Sequence, residues 1–69
     1  GAVDLLFVED GGLVIVDFKS DRNKNESELI DAYSKQLEIY AKACSKILNL
    51  PVKELIIYSF ALGKEIIIK

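Results

Sequence analysis

The chain has 69 residues, a formal net charge of -2 and 51% hydrophobic residues, which bounds it to one small domain near the lower size at which a hydrophobic core can offset chain entropy. One cysteine and no histidine exclude an internal disulfide, the usual zinc sets and a cysteine-held iron-sulfur cluster, and agree with a reduced, cytoplasmic setting. No apolar run approaches the roughly 20 residues of a membrane helix, and without a basic excess the composition carries no general nucleic-acid-binding signature.

Residues 1–9, GAVDLLFVE, read as a strand that begins without Met, as a fragment of something larger would. Asp10-Gly11-Gly12 is a hairpin signal, since Gly tolerates the positive φ of tight two-residue turns. The returning strand, Leu13 to Lys19, runs four apolar residues straight into Asp17, Phe18 and Lys19. Two charged groups at the end of a buried strand are costly unless they pair, bind a metal or do chemistry. Two even registers are open. A Gly11-Gly12 turn sets Asp4 opposite Lys19, and an Asp10-Gly11 turn sets Asp4 opposite Asp17. Side chains alternate with period two, so either register puts Asp4, Asp17 and Lys19 on one face, with Leu6, Val8, Leu13 and Ile15. The other face takes Val3, Leu5, Phe7, Val14, Val16 and Phe18, and a sheet apolar on both faces expects cover on both sides.

Residues 20–27, SDRNKNES, form a polar loop, and Asn25 with Glu28 resembles a capping box. From there to about Leu48 the spacing predicts a helix whose stripe holds Leu29, Tyr33, Leu37, Tyr40, Ala41, Cys44, Ile47 and Leu48. Gln36 lies beside that stripe, one turn before Tyr40, so the two side chains can point at the same neighbour. Asn49-Leu50-Pro51 ends the helix. Residues 54–62, ELIIYSFAL, read as a third strand, Gly63-Lys64 as a turn, and residues 65–69, EIIIK, as a short fourth strand. A strand, helix, strand sequence of these lengths implies a crossover that lays the third strand parallel to the second. The expected fold is α/β, a hairpin followed by a βαβ unit.

Two carboxylates and a lysine on one face suit phosphodiester cleavage. Asp4 and Asp17 offer hard oxygen ligands for Mg²⁺, the Phe18 carbonyl a third, and Lys19 a cation to orient water or meet the growing negative charge.

Gly1-x-x-Asp4, then Asp17-Phe18-Lys19-Ser20, then Gln36-x-x-x-Tyr40, in this order and spacing, resemble the PD-(D/E)XK nuclease superfamily. Together with DRN after the second motif and the YSFALGKE ending, they look most like the RecB-like nuclease domains at the C-terminal end of A-type (AddA) subunits of bacterial ATP-dependent helicase-nucleases. The resemblance spans essentially the whole chain. It implies a ββαββ fragment, residues 1–69, of a restriction-endonuclease-like core with a mixed sheet, lacking the leading helix and first strand. It implies Asp4 and Asp17 as metal-binding acids, Lys19 as the catalytic lysine, and Gln36 and Tyr40 as the helix pair near the DNA backbone. For the parent protein it implies a Mg²⁺-dependent, exonuclease-type deoxyribonuclease, with Mn²⁺ as substitute, acting on DNA in double-strand break repair beside a second helicase-nuclease subunit. The family's upstream metal-binding histidine has no counterpart here, and neither has the cysteine cluster of the sister subunit.

Blander readings stand beside these. Asp17 and Lys19 alone would be a structural ion pair, Gln36 could cap backbone groups, and Tyr33 and Tyr58 are core aromatics by default. Cys44 reads as a buried small hydrophobe, and Arg22 and Lys24 as a solvated loop beside the site. A non-catalytic interaction module, completed by self-association across the uncovered face, is the alternative to a nuclease.

Overall fold

Turn chemistry at Asp10 and Gly11 sets the register of the sheet. In the computed structural model, which describes residues 4–69, both take positive φ, 50° and 77°, the left-handed pair that a tight hairpin turn needs. Strands β1 (Leu5–Glu9) and β2 (Gly12–Lys19) pair antiparallel with Glu9 opposite Gly12 and Leu5 opposite Val16. Of the two expected registers this is the Asp10-Gly11 one, and its continuation sets Asp4 opposite Asp17. Gly12 serves a different purpose: a Cβ there would stand 2.7 Å from the Cβ of Lys53. The expectations for Gly1 in the motif and Val3 on the sheet lie outside the described residues.

The helix α1 (Glu26–Leu48) starts where its cap is strongest. Asn25 accepts from the Glu28 backbone N–H at 2.9 Å, and Glu28 accepts from the Asn25 N–H at 2.9 Å, so both halves of the capping box are made. Glu26 and Glu28 sit in the positive first turn. Asn49, at φ 56°, closes the far end in the left-handed conformation, and Ser45 donates its hydroxyl to the Leu50 carbonyl.

Strand β3 (Val52–Ser59) runs parallel to β2, and β4 (Lys64–Ile67) antiparallel to β3, giving the order β1-β2-β3-β4. This is the mixed sheet with one crossover helix expected of a ββαββ fragment. Two strand boundaries differ from expectation. β3 begins earlier, directly after Pro51, and stops at Ser59, whose hydroxyl and carbonyl take the Leu62 and Gly63 N–H groups at 3.0 and 2.8 Å and turn the chain. β4 accordingly begins at Lys64 rather than Glu65.

Ile15, Leu55, Ile57 and Ile66 from the sheet pack on Leu29, Leu37 and Ala41 of the helix. Each such buried aliphatic contributes about 1.5–3 kcal/mol, against about 1 kcal/mol for a cap. Packing therefore places the helix and the cap fixes its start. The expected stripe holds at Leu29, Leu37 and Ala41 but fails at the helix end: Ile47 is 81% exposed and Leu48 47%. A 23-residue helix is about 34 Å long, whereas a strand of 8 residues spans about 26 Å, so the last turn overhangs the sheet. Cys44 is half-buried rather than buried.

Candidate active site

The site grows from the C-terminal end of β2. The residues before Asp17 are buried, with Leu13 and Ile15 fully so, and that buried stretch fixes the direction in which Asp17 and Lys19 emerge on the helix side of the sheet. Phe18 points to the opposite face, where its ring meets Tyr58 and Phe60 at centroid distances of 6.0 and 5.5 Å.

Asp4 is tied to β2 twice. Its backbone N–H donates to the Val16 carbonyl at 3.2 Å, and its carboxylate accepts the Phe18 N–H at 2.8 Å. Within a strand the N–H and C=O of one residue face the same neighbour, so the Phe18 carbonyl is directed to this same edge. The Phe18 N–H holds the Asp4 carboxyl below the usual carboxylate range, helped by Asp17, which lies within hydrogen-bonding reach. Asp17 moves the other way: partial burial raises it, and the neighbouring Asp4 carboxyl adds to the rise against the opposing pull of Lys19. Two acids side by side with opposite shifts are a pair in which one carries the charge and the other resists it.

Lys19 Nζ lies 3.2 Å from Asp17 Oδ2, with the two side chains 27% and 14% exposed. The ion pair weighed in the sequence thus exists. What a plain ion pair leaves unexplained is the second acid beside it. Lys19 Nζ also sits 4.2 Å from the centroid of the Tyr33 ring.

Between β2 and α1 opens a cleft of about 340 Å³, with Asp17 and Lys19 on one wall and Tyr33, Gln36 and Tyr40 on the other. Four of the sequence-expected residues therefore meet in one cavity, and Asp4 stands next to it through Asp17. Gln36 is exposed and free to turn inward. The Cys44 thiol beside Tyr40 pushes that phenol's value up.

Sequence reasoning missed Tyr33 and Asp21. Tyr33, read as a core aromatic, is half-buried and donates its hydroxyl to Asp21 Oδ2 at 2.7 Å, and Lys24 Nζ meets the same oxygen at 3.0 Å. That bond lowers the Asp21 carboxyl and raises the Tyr33 phenol, while Asp21 raises Lys24. Lys24 is therefore paired rather than solvated. The available signal was helical spacing, since Tyr33 lies three residues before Gln36 and seven before Tyr40 on the same face.

A mixed sheet whose parallel β2 ends in Asp-x-Lys, with a second acid across the hairpin and a Gln-x-x-x-Tyr helix over it, is a nuclease-type arrangement. The family model described as the PD-(D/E)XK nuclease superfamily matches residues 1–65, and the chain belongs to that superfamily. Relatives agree. The A subunit of the ATP-dependent helicase/nuclease of Lachnoclostridium phytofermentans is similar to it, with 48% identity over 71 residues that cover 100% of this chain and 5% of the relative. The proteins of the same name in Ligilactobacillus salivarius and Desulforudis audaxviator are each 41% identical, over 99% and 100% of this chain and 5% and 6% of the relative. The chain thus spans about one twentieth of the curated relatives it matches. No solved structure matches it.

Proposed function

We propose that the chain carries a metal-dependent DNA-cleaving site, with Asp4, Asp17 and the Phe18 carbonyl holding a divalent cation and Lys19, Gln36 and Tyr40 facing the scissile phosphate. The observation that carries this reading is the adjacency of the Asp4 and Asp17 carboxyls across the hairpin, on the same side of the sheet as Lys19 and beside the cleft.

The donor set fits Mg²⁺, with Mn²⁺ as substitute. Among the described residues no three His, Cys, Asp or Glu side chains converge, yet Mg²⁺ is commonly held by only one or two carboxylates, with waters and substrate phosphate completing its shell. The raised Asp17 beside Asp4 is the signature of excess negative charge that a cation would offset. When bound, the cation supplies acidification of a coordinated water and charge stabilisation at the phosphate. The chain's own residues do the rest. Asp4, fixed by the Phe18 N–H, and Asp17, fixed by the strand, supply oxygens without having to reorganise. Lys19 presents up to three donors to an attacking water or to the developing charge. Gln36 and Tyr40 offer an amide and a hydroxyl to non-bridging phosphate oxygens.

The names of the relatives extend this reading to a longer protein, one half of a helicase-nuclease that degrades DNA ends in double-strand break repair together with a second subunit. The other reading is a non-catalytic module completed by self-association, supported by Phe7, Phe18 and Phe60 at 40%, 39% and 61% exposure on the sheet face and its C-terminal margin.

The test is cleavage of end-labelled duplex and single-stranded DNA by this chain with Mg²⁺, with Mn²⁺ and with EDTA, alongside Lys19→Ala. The nuclease reading expects product only with metal and its loss in Lys19→Ala while Mn²⁺ binding persists. Cleavage that survives EDTA, or equal cleavage by Lys19→Ala, contradicts it. A site that binds neither cation supports the second reading.

A further inference from the structure

We propose that Tyr33 is a positioning residue for Lys19, a ring held in place by Asp21 on which the lysine ammonium rests when Asp17 is engaged elsewhere. This inference rests on the nuclease reading above for its use, but its geometry stands separately.

Lysine is a compact, strongly hydrated charge on a flexible four-carbon stem. At 27% side-chain exposure Lys19 is not locked by burial, so its contacts decide where the ammonium sits. There are two: Asp17 Oδ2 at 3.2 Å and the Tyr33 ring at 4.2 Å from its centroid. The first is the weaker anchor during function, because a carboxylate that takes a cation has less charge to offer a lysine. The ring has no competing demand. A cation over an aromatic face within about 6 Å is attracted by the ring quadrupole, more so where water is partly excluded.

The ring itself is held. Tyr33 Oη donates to Asp21 Oδ2 at 2.7 Å, and Asp21 lies two residues beyond Lys19, so strand end, loop, phenol and ammonium close a small circuit. Lys24 Nζ, at 3.0 Å from the same Asp21 oxygen, neutralises that carboxylate and keeps it from drawing Lys19 out of the cleft. The loop read as solvated therefore serves the site, because Asp21 and Lys24 fix the ring and the ring places the lysine.

The test reads the Lys19 εCH₂ proton and carbon shifts by NMR, since a ring face moves nearby protons upfield. The chain is compared with Tyr33→Leu, Tyr33→Phe, Asp21→Asn and Asp17→Asn, with the core between sheet and helix monitored through the methyls of Ile15 and Leu37 to confirm folding. The expected result is an upfield Lys19 εCH₂ signal that persists in Asp17→Asn, returns to the free-lysine position in Tyr33→Leu, and moves part of the way in Tyr33→Phe and Asp21→Asn. Should Tyr33→Leu fail to fold, Asp21→Asn, which changes no core residue, decides. A Lys19 signal unmoved in Tyr33→Leu or Asp21→Asn, or one that returns to the free position in Asp17→Asn, overturns the inference. Mn²⁺ broadening of the Asp4 and Phe18 amides, recorded on the same samples, separates the two levels. Its absence in the unsubstituted chain defeats the nuclease reading, and the ring shift still decides the role of Tyr33.

Discussion

Asp4 and Asp17 illustrate how one pair of like groups comes to hold different affinities for a proton. Asp4 lies below its ordinary value of 3.8 because the Phe18 N–H stabilises the charged form, and Asp17 lies above 3.8 because partial burial penalises its charge. The linkage consequences are opposite. The stabilisation from Asp4 is present above pH 3.8 and is lost as pH falls through its lowered value. For Asp17 the folded chain keeps its proton where the unfolded chain has lost it, so its contribution declines as pH rises from 3.8 through its raised value. Asp4→Asn removes the neighbouring charge and shifts the Asp17 titration downward, which carboxyl ¹³C NMR reads directly. An unchanged Asp17 titration would mean that the two acids do not interact. Cation affinity should also weaken as pH drops into the range where Asp17 takes up its proton, because the ligand form is the carboxylate. At this scale the sequence was informative about Asp17 and Lys19, since burying charge at a strand end demands a reason. It was silent on Tyr33, because a helical tyrosine at core spacing looks the same whether its hydroxyl meets water or Asp21.

The elements owe their places to a few local choices. The hairpin left two even registers in the sequence, and Gly11-Gly12 looked as good a turn as Asp10-Gly11. Gly12 is claimed by the close approach of Lys53, which leaves the positive φ values to Asp10 and Gly11 and brings Asp4 opposite Asp17. Gly12→Ala should therefore destabilise the chain by about 1–3 kcal/mol through overpacking, measured by urea unfolding. A loss well under that range would show that Lys53 can move aside. The salt bridges of Lys53 to Glu9 and Asp10, at 2.9 and 3.0 Å, are exposed, so they add little to this. At the other end of the crossover, Asn25→Ala removes the capping-box acceptor and should cost about 1 kcal/mol. Cation binding should be unchanged, because the helix is placed by Leu29, Leu37 and Ala41 rather than by its cap. The helix start was legible because a capping box is a local signal. Its last turn was misjudged because periodicity cannot show where the sheet beneath it stops.

Across the whole molecule, one face of the sheet is covered by α1 and the other is not. On the uncovered face the centre of the sheet is still buried, with Val14 and Ile56 at 2% and 6% exposure, while Leu5 and Phe7 at the edge are 44% and 40% exposed. Exposed apolar area of this kind favours association, and sedimentation velocity should show the chain self-associating with rising concentration and Phe7→Lys reducing that tendency. A monomer at all concentrations would contradict the expectation. The α/β class and the crossover were legible from the order and lengths of the elements. What covers the second face was not, because a sheet apolar on both sides announces a need for cover without naming its source.

The central claim is that Asp4 and Asp17 form one cation site at the end of β2, and amide NMR during a Mn²⁺ titration of this chain and of Asp17→Ala tests it most directly. Selective broadening at Asp4, Phe18 and Lys19 that disappears in Asp17→Ala is the predicted result. Broadening spread evenly over the chain, or persisting in the variant, would contradict it.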